Sequence, residues 1–164
     1  MERLSTLLSQ PEYVHVAINH FPLVGLFVAM VALVVALIVK SRAATLIGLA
    51  LVGALALSAW PVYEYGQAGF DRVLSMADEP GQAFLRYHAH LAARWVFLYY
   101  LTAGVAALGL GLTWKWPRVL TPASLVALVL AAASLTAGIF IAQAGGDIRH
   151  REFRDGPPPQ VQGW

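Results

Sequence analysis

YVHVAINHFPLVGLFVAMVALVVALIV, residues Tyr13–Val39, is the stretch that decides the fold. It carries no lysine, arginine, aspartate or glutamate. As a helix rising ~1.5 Å per residue it would run about 40 Å, more than the ~30 Å hydrocarbon core of a bilayer. Its head is the exception to its apolar character. His15, Asn19 and His20 sit there, just before Pro22. Polar and protonatable side chains in a membrane helix are costly to bury in lipid and usually face a protein interior where they have a task.

The rest of the 164-residue chain repeats the theme: 59% of residues are hydrophobic, 12% are charged, and the mean hydropathy is +0.64. Soluble domains carry about twice that share of charge. Ala43–Tyr63, Trp95–Leu112 and Val119–Ala144 are further runs almost free of charge. A soluble bundle would show polar faces at helical spacing, and these runs do not. The expectation is an all-α protein, an antiparallel four-helix transmembrane bundle. No basic segment precedes a short apolar core, so no cleavable signal peptide is expected. The chain has no cysteine, which excludes disulfides, thiolate metal sites and iron–sulfur ligation by its own residues. The net charge of +2 says little by itself, and no nucleic-acid partner is expected.

Taken in order, residues 1–11 form a short lead, with Leu4, Leu7 and Leu8 suited to an interfacial turn. The first long helix is expected over about 12–39, bent near Pro22, which lacks a backbone donor. Lys40-Ser41-Arg42 is too short for anything but an antiparallel return. The second helix follows over about 43–63, rich in small residues (Gly48, Gly53, Ala54, Ser58) that suit close packing in lipid. The longest connection, Glu64–Arg86, holds a short amphipathic segment, Phe70–Met76, suited to the interface. The third helix is expected over about 84–112, closed by Trp114, Trp116 and Pro117 as interfacial anchors. The fourth runs over about 120–144, stopping at Gly145-Gly146. Residues 1–155 thus form one domain, and 156–164, with Pro157-Pro158-Pro159, read as a disordered tail.

Four spans put the short loops on one side and the termini with the longer loop on the other. The short loops hold Lys40, Arg42, Lys115 and Arg118 and no acid, whereas all nine acids lie on the opposite side. Positive-inside reasoning places the short loops in the cytoplasm and the termini outward, in the periplasm for a bacterial inner membrane. The stripe Ala127, Ala131, Ser134 and Gly138 packs helices either within the chain or between copies, as in a homodimer.

All five histidines fall on the outward side. His15 and His20 open the first helix, His88 and His90 the third, and His150 follows the fourth. Glu64, Asp71, Asp147 and Glu152 lie nearby in sequence. Antiparallel packing brings these ends to one level. Imidazoles mixed with carboxylates, without thiolates, suit zinc, and also iron, manganese or copper. The candidate ligands are His15, His20, Glu64, Asp71, His88, His90, His150 and Glu152, enough for one or two ions. His15 and His20 lie about 140° apart around a helix, so they share a cavity only at the edge of its inward stripe. His88 and His90 are about 200° apart, so one of them points elsewhere. Taken singly, His15, His88 and His90 read as interfacial residues and Glu64 and Asp147 as solvated helix-end groups, whereas His20, deepest in an apolar run, is harder to dismiss. Arg94 inside the third helix needs a partner, and Glu64 or Asp147 would serve unless it snorkels to the interface.

Asn19-His20-Phe21-Pro22, Pro61-Val62-Tyr63 and Gly145-Gly146-Asp147-Ile148-Arg149-His150 together resemble an uncharacterised family of small bacterial four-span membrane proteins, a domain of unknown function. Its pattern is N-H-F-P in the first helix, P-V-Y then G-E-x-x-E after the second, H-E opening the third, and G-G-x-I-R-H-P-E after the fourth. The resemblance covers Val14 to Glu152, and its last motif is the most specific. It implies a shared site that includes His20, His150 and Glu152. Asp71 stands for the last acid of the loop motif and Gln67 where a glutamate is expected. His88 or His90 stands for the histidine of H-E, and no glutamate follows either. The family carries no known activity.

Three functions compete. The first is an integral membrane metalloprotein holding one or two transition-metal ions, zinc preferred, with hydrolysis open to it if a bound water is acidified and Glu64 or Asp71 serves as base. No H-E-x-x-H motif is present. The second is a b-type haem electron carrier, with His15 or His20 paired to His88, His90 or His150. The third is a non-catalytic accessory subunit. A through-membrane ion path is disfavoured, because the inner halves of the helices are almost wholly apolar.

Overall fold

The computed structural model describes residues 2–157, 159 and 160. Among them every regular element is a helix. The first apolar run is divided into α2 (Pro11–Ile18), a π-turn (Phe21–Gly25) and α3 (Leu26–Ile38). The cause of the division is local. Pro22 has no N–H to give, and the Leu26 N–H reaches back five residues to the Phe21 carbonyl as well as to Leu23. The bend expected near Pro22 is therefore present as a π-turn. Ahead of it lies α1 (Glu2–Leu8). The second run is α4 (Arg42–Leu57) and α5 (Ala59–Ala68), and α6 (Phe70–Met76) has the bounds read from its amphipathic pattern. The third run is the single helix α7 (Glu79–Lys115) and the fourth is α8 (Leu120–Arg149).

Four units are long and apolar enough to cross a membrane: Pro11–Ile38, Arg42–Ala68, Glu79–Lys115 and Pro117–Arg149. Only 22–33% of the most apolar stretch of each is buried inside the protein. Phe27, Val28, Val31, Val35 and Ile38 of α3 all face outward. A water-facing surface of that kind would aggregate, whereas lipid accepts it. The fold is that of a multi-pass membrane protein.

Inside, the bundle is packed by small residues. Leu26, Ala29 and Leu33 of α3 meet Leu49, Val52 and Ala56 of α4, and Tyr99, Ala103 and Ala106 of α7 join Ala127 and Ala131 of α8. A Cβ on Gly109 would lie 2.6 Å from that of Ala123, so glycine sets the approach of α7 to α8. Thr102 and Ser134 share a buried hydroxyl hydrogen bond of 3.0 Å across the same seam. The stripe Ala127, Ala131, Ser134 and Gly138 is thus consumed within the chain.

Three boundaries differ from the sequence reading, each for a physical reason. The second helix does not stop at Tyr63 but runs to Ala68, so Glu64 lies mid-helix. The third begins at Glu79, because Asp78 caps it by accepting the Gly81 N–H at 3.0 Å and Pro80 sits in its first turn. The fourth continues through Gly145-Gly146 to Arg149, and His150 is its C-cap. Its last carbonyls have a partner. Arg154 Nε donates to the Asp147 carbonyl at 2.7 Å and its Nη2 to the Ile148 carbonyl at 2.9 Å. Of the expected tail, residues 158 and 161–164 lie outside the described residues.

The same Arg154 donates to both carboxylate oxygens of Asp78 at 3.0 Å, tying the cap of α7 to the end of α8. These bonds hold the Asp78 carboxyl well below its usual range, at about 2. Because that value lies below the ordinary 3.8, the clamp's contribution is complete above 3.8 and is lost as the pH falls through about 2. The melting temperature of the detergent-solubilised protein should drop across that interval, and the drop should be smaller in Arg154→Gln. Equal acid sensitivity in both proteins would show that the clamp is not the titrating element.

Candidate functional site: a histidine pair in an apolar cavity

Beyond the π-turn, α2 packs mainly on α5, whereas α3 returns to α4 and α8. The bend thereby opens a cavity of about 860 Å³ between α2, α5, α7 and α8. Its inner end is apolar, with Leu23, Val96 and Tyr99, and its outer end holds Gln10, Gln67, Arg149 and His150. Such volume and lining suit a cofactor-sized ligand.

Two histidines from different helices enter this space. His15 on α2 donates its Nδ1–H to the Val62 carbonyl of α5 at 2.8 Å. His88 on α7 donates its Nδ1–H to the Ile141 carbonyl of α8 at 2.8 Å. A carbonyl can only accept, so Nδ1 carries the proton in both rings and the lone pair of each neutral imidazole is on Nε2. A carbonyl bond of this kind fixes the tautomer and the orientation of the ring and leaves Nε2 available to ligate. The two ring centroids are 6.2 Å apart with planes at 89°.

The same device holds both rings. Gly66 lies four residues after Val62 and Gly145 four after Ile141, where a helix directs its next N–H at the carbonyl. A Cβ on Gly66 would sit 2.9 Å from His15 Nδ1, and one on Gly145 would sit 3.2 Å from His88 Nδ1. Glycine at i+4 leaves the carbonyl's second lone pair open to a ring from a neighbouring helix. This explains why the helix runs through Gly145-Gly146: the first glycine makes room for His88.

The other expected ligands are dispersed. His20 and His150 border the cavity but are exposed. His150 is engaged elsewhere, with Nδ1 3.1 Å from Glu152 and its ring stacked on Phe153 at 4.8 Å. Glu152 is exposed, and bonds from its own backbone N–H and from His150 hold its carboxyl below the usual range. His90 does not line the cavity, in keeping with its angle from His88. Glu64 and Asp71 are exposed, because α5 continues past Tyr63 and α6 turns Asp71 outward. Among the described residues, no three histidines or carboxylates are placed to hold one ion. Arg94 is exposed and lies over the Trp95 ring at 5.3 Å, rather than on Glu64 or Asp147.

Glu12 is not among the ligands expected from the sequence. It lines the cavity, pairs through Oε1 with Arg72 at 2.8 Å, and keeps Oε2 buried without a hydrogen bond among the described residues. Its place beside Pro11, at the start of α2, was the available signal.

No protein-family model, no curated protein and no solved structure matches this chain.

Proposed function

We propose that this protein is a membrane-embedded b-type haem electron carrier, with His15 and His88 as axial ligands. The separation of their rings carries the reading. With a metal–nitrogen bond of about 2.0–2.1 Å, a ligating imidazole puts its centroid about 3.2 Å from the metal. Two rings on opposite sides would then be about 6.4 Å apart, and two on a tetrahedral ion about 5.2 Å. The observed 6.2 Å is nearer the first value. A tetrahedral zinc on this pair would also be two ligands short. Both lone pairs are on Nε2, and the cavity is long, apolar within and polar at its outer end. Arg149 and His150 at that end suit the propionates of a porphyrin. A haem held by two histidines supplies one-electron transfer without an open coordination position. Positive-inside reasoning from the basic short loops supports an outward-facing polar end for the cavity, in keeping with an electron carrier at the outer face of an inner membrane.

The test is to purify the protein in detergent from cells supplied with a haem precursor, then to record its visible spectrum and its bound metals. About one iron per chain with a low-spin Soret band is the expected result. Near-stoichiometric zinc without a Soret band would restore the metal-ion reading, and protein free of both would leave the pair without a cofactor.

A further inference from the structure

The large cavity is longer than the histidine pair requires. It runs inward from His15 as far as Leu23, and from His88 as far as Tyr99. At ~1.5 Å per residue these stretches are about 12 Å and about 16 Å. A porphyrin centred between the two rings leaves the innermost part of that space free. Three polar side chains line it: Asn19 and His20 at the end of α2, and Tyr99 on α7. None of the three forms a side-chain hydrogen bond among the described residues. Tyr99 is buried, and Gly138 of α8 leaves room for its hydroxyl, since a Cβ at that glycine would collide with the oxygen. A buried phenol ordinarily has a hydrogen-bond partner.

The inner chamber also has a side entrance. α2 packs on α5 rather than on α8. Val16 on α2 and Ala142 on α8 both line the cavity and are exposed, as is His20. Both helices belong to membrane-spanning units, so the gap between them opens toward lipid. A ligand entering there has an apolar tail. Its head meets no aspartate, glutamate, lysine or arginine around Asn19, Leu23, Val96 and Tyr99. A phenol and a carboxamide can each donate and accept. Such groups on separate walls suit a ring whose two oxygens alternate between carbonyl and hydroxyl.

We propose that the inner end of the cavity binds the ring of a lipid-soluble quinone or its quinol, with Tyr99 on one oxygen, Asn19 on the other, and the tail leaving between α2 and α8. The choice of a redox-active ring, over another lipid-soluble ring with two oxygens, rests on the haem reading.

The experiment is calorimetric titration of the detergent-solubilised full chain with decylubiquinone, beside decylbenzene, which keeps a ring and the tail but lacks the oxygens. The quinone should bind once per chain and at least about tenfold more tightly than decylbenzene. Tyr99→Phe removes only the hydroxyl and should weaken quinone binding about fivefold, and Asn19→Leu should do so by a similar factor. Asn19→Leu, at a half-buried position, decides the matter should Tyr99→Phe fail to fold. Absence of saturable binding, equal binding of decylbenzene, or quinone binding that neither substitution weakens overturns the proposal. The Soret band of the same samples separates this site from the haem. Quinone binding without the band leaves the site standing and strikes the haem alone, and the band without quinone binding does the reverse.

Discussion

His88→Ala is expected to purify folded but without its haem, and His15→Ala likewise. On the haem reading each substitution removes one of the two histidines that would hold the group, and the cavity offers no replacement at the same separation. His20 and His150 border it but are exposed, and His150 is held by Glu152 and Phe153. Losing the orienting partner of a metal-bound histidine alone typically costs 10–100-fold in affinity, so losing the ligand should lower haem content by at least about that factor. Residual haem should be five-coordinate and high-spin. His90→Ala and Glu64→Gln should retain the wild-type spectrum, because neither residue lines the cavity. That contrast separates the histidine pair from a mixed histidine–carboxylate cluster. Loss of bound metal in Glu64→Gln or Asp71→Asn, with His15→Ala unaffected, would exclude the pair as the site.

The four-span architecture is legible in the sequence because lipid imposes a one-dimensional rule: long runs without charge, broken by short basic loops. Pro22 marks the bend and Phe70–Met76 the interfacial helix for similarly local reasons. The helix ends are less legible. Asp78-Glu79-Pro80 has the form of an N-cap followed by a first turn, yet Pro80-Gly81 reads equally as loop punctuation. Gly81 is there for close approach, since its Cβ would lie 2.7 Å from the Ile148 carbonyl. Gly145-Gly146 reads as a stop until His88 is seen against it. The site is half legible. The sequence puts all five histidines at one end of the bundle, the end at which His15 and His88 meet, and the angle between His88 and His90 separates those two. His20 looks the most committed, being deepest in an apolar run, yet it is His15 that meets His88. The deciding information lies on other helices, in Val62 with Gly66 and Ile141 with Gly145. A residue's own surroundings in sequence do not contain its partner's glycine.

Those glycines yield a prediction that distinguishes positioning from folding. A methyl group at residue 66 would fall 2.9 Å from His15 Nδ1 and 3.0 Å from Cε1, closer than real Cβ contacts come, so the ring must move. The His15–Val62 bond is then stretched or broken, and the ring loses both its fixed tautomer and its aim. Alanine is otherwise favoured over glycine within a helix by ~1 kcal/mol, which offsets part of the local strain. Gly66→Ala should therefore keep its melting temperature within a few degrees while haem affinity falls by about 10-fold or more. Its low-spin signature should give way in part to a high-spin one. At Gly145 the corresponding distance is 3.2 Å, which a small shift of His88 accommodates. Gly145→Ala should bind haem within a few-fold of wild type, and Gly145→Val should reproduce the Gly66→Ala defect. Spectra and melting temperatures of the three variants, measured side by side, check the ordering. A Gly66→Ala protein with wild-type spectrum and affinity would show that the carbonyl bond to His15 does not orient the ligand.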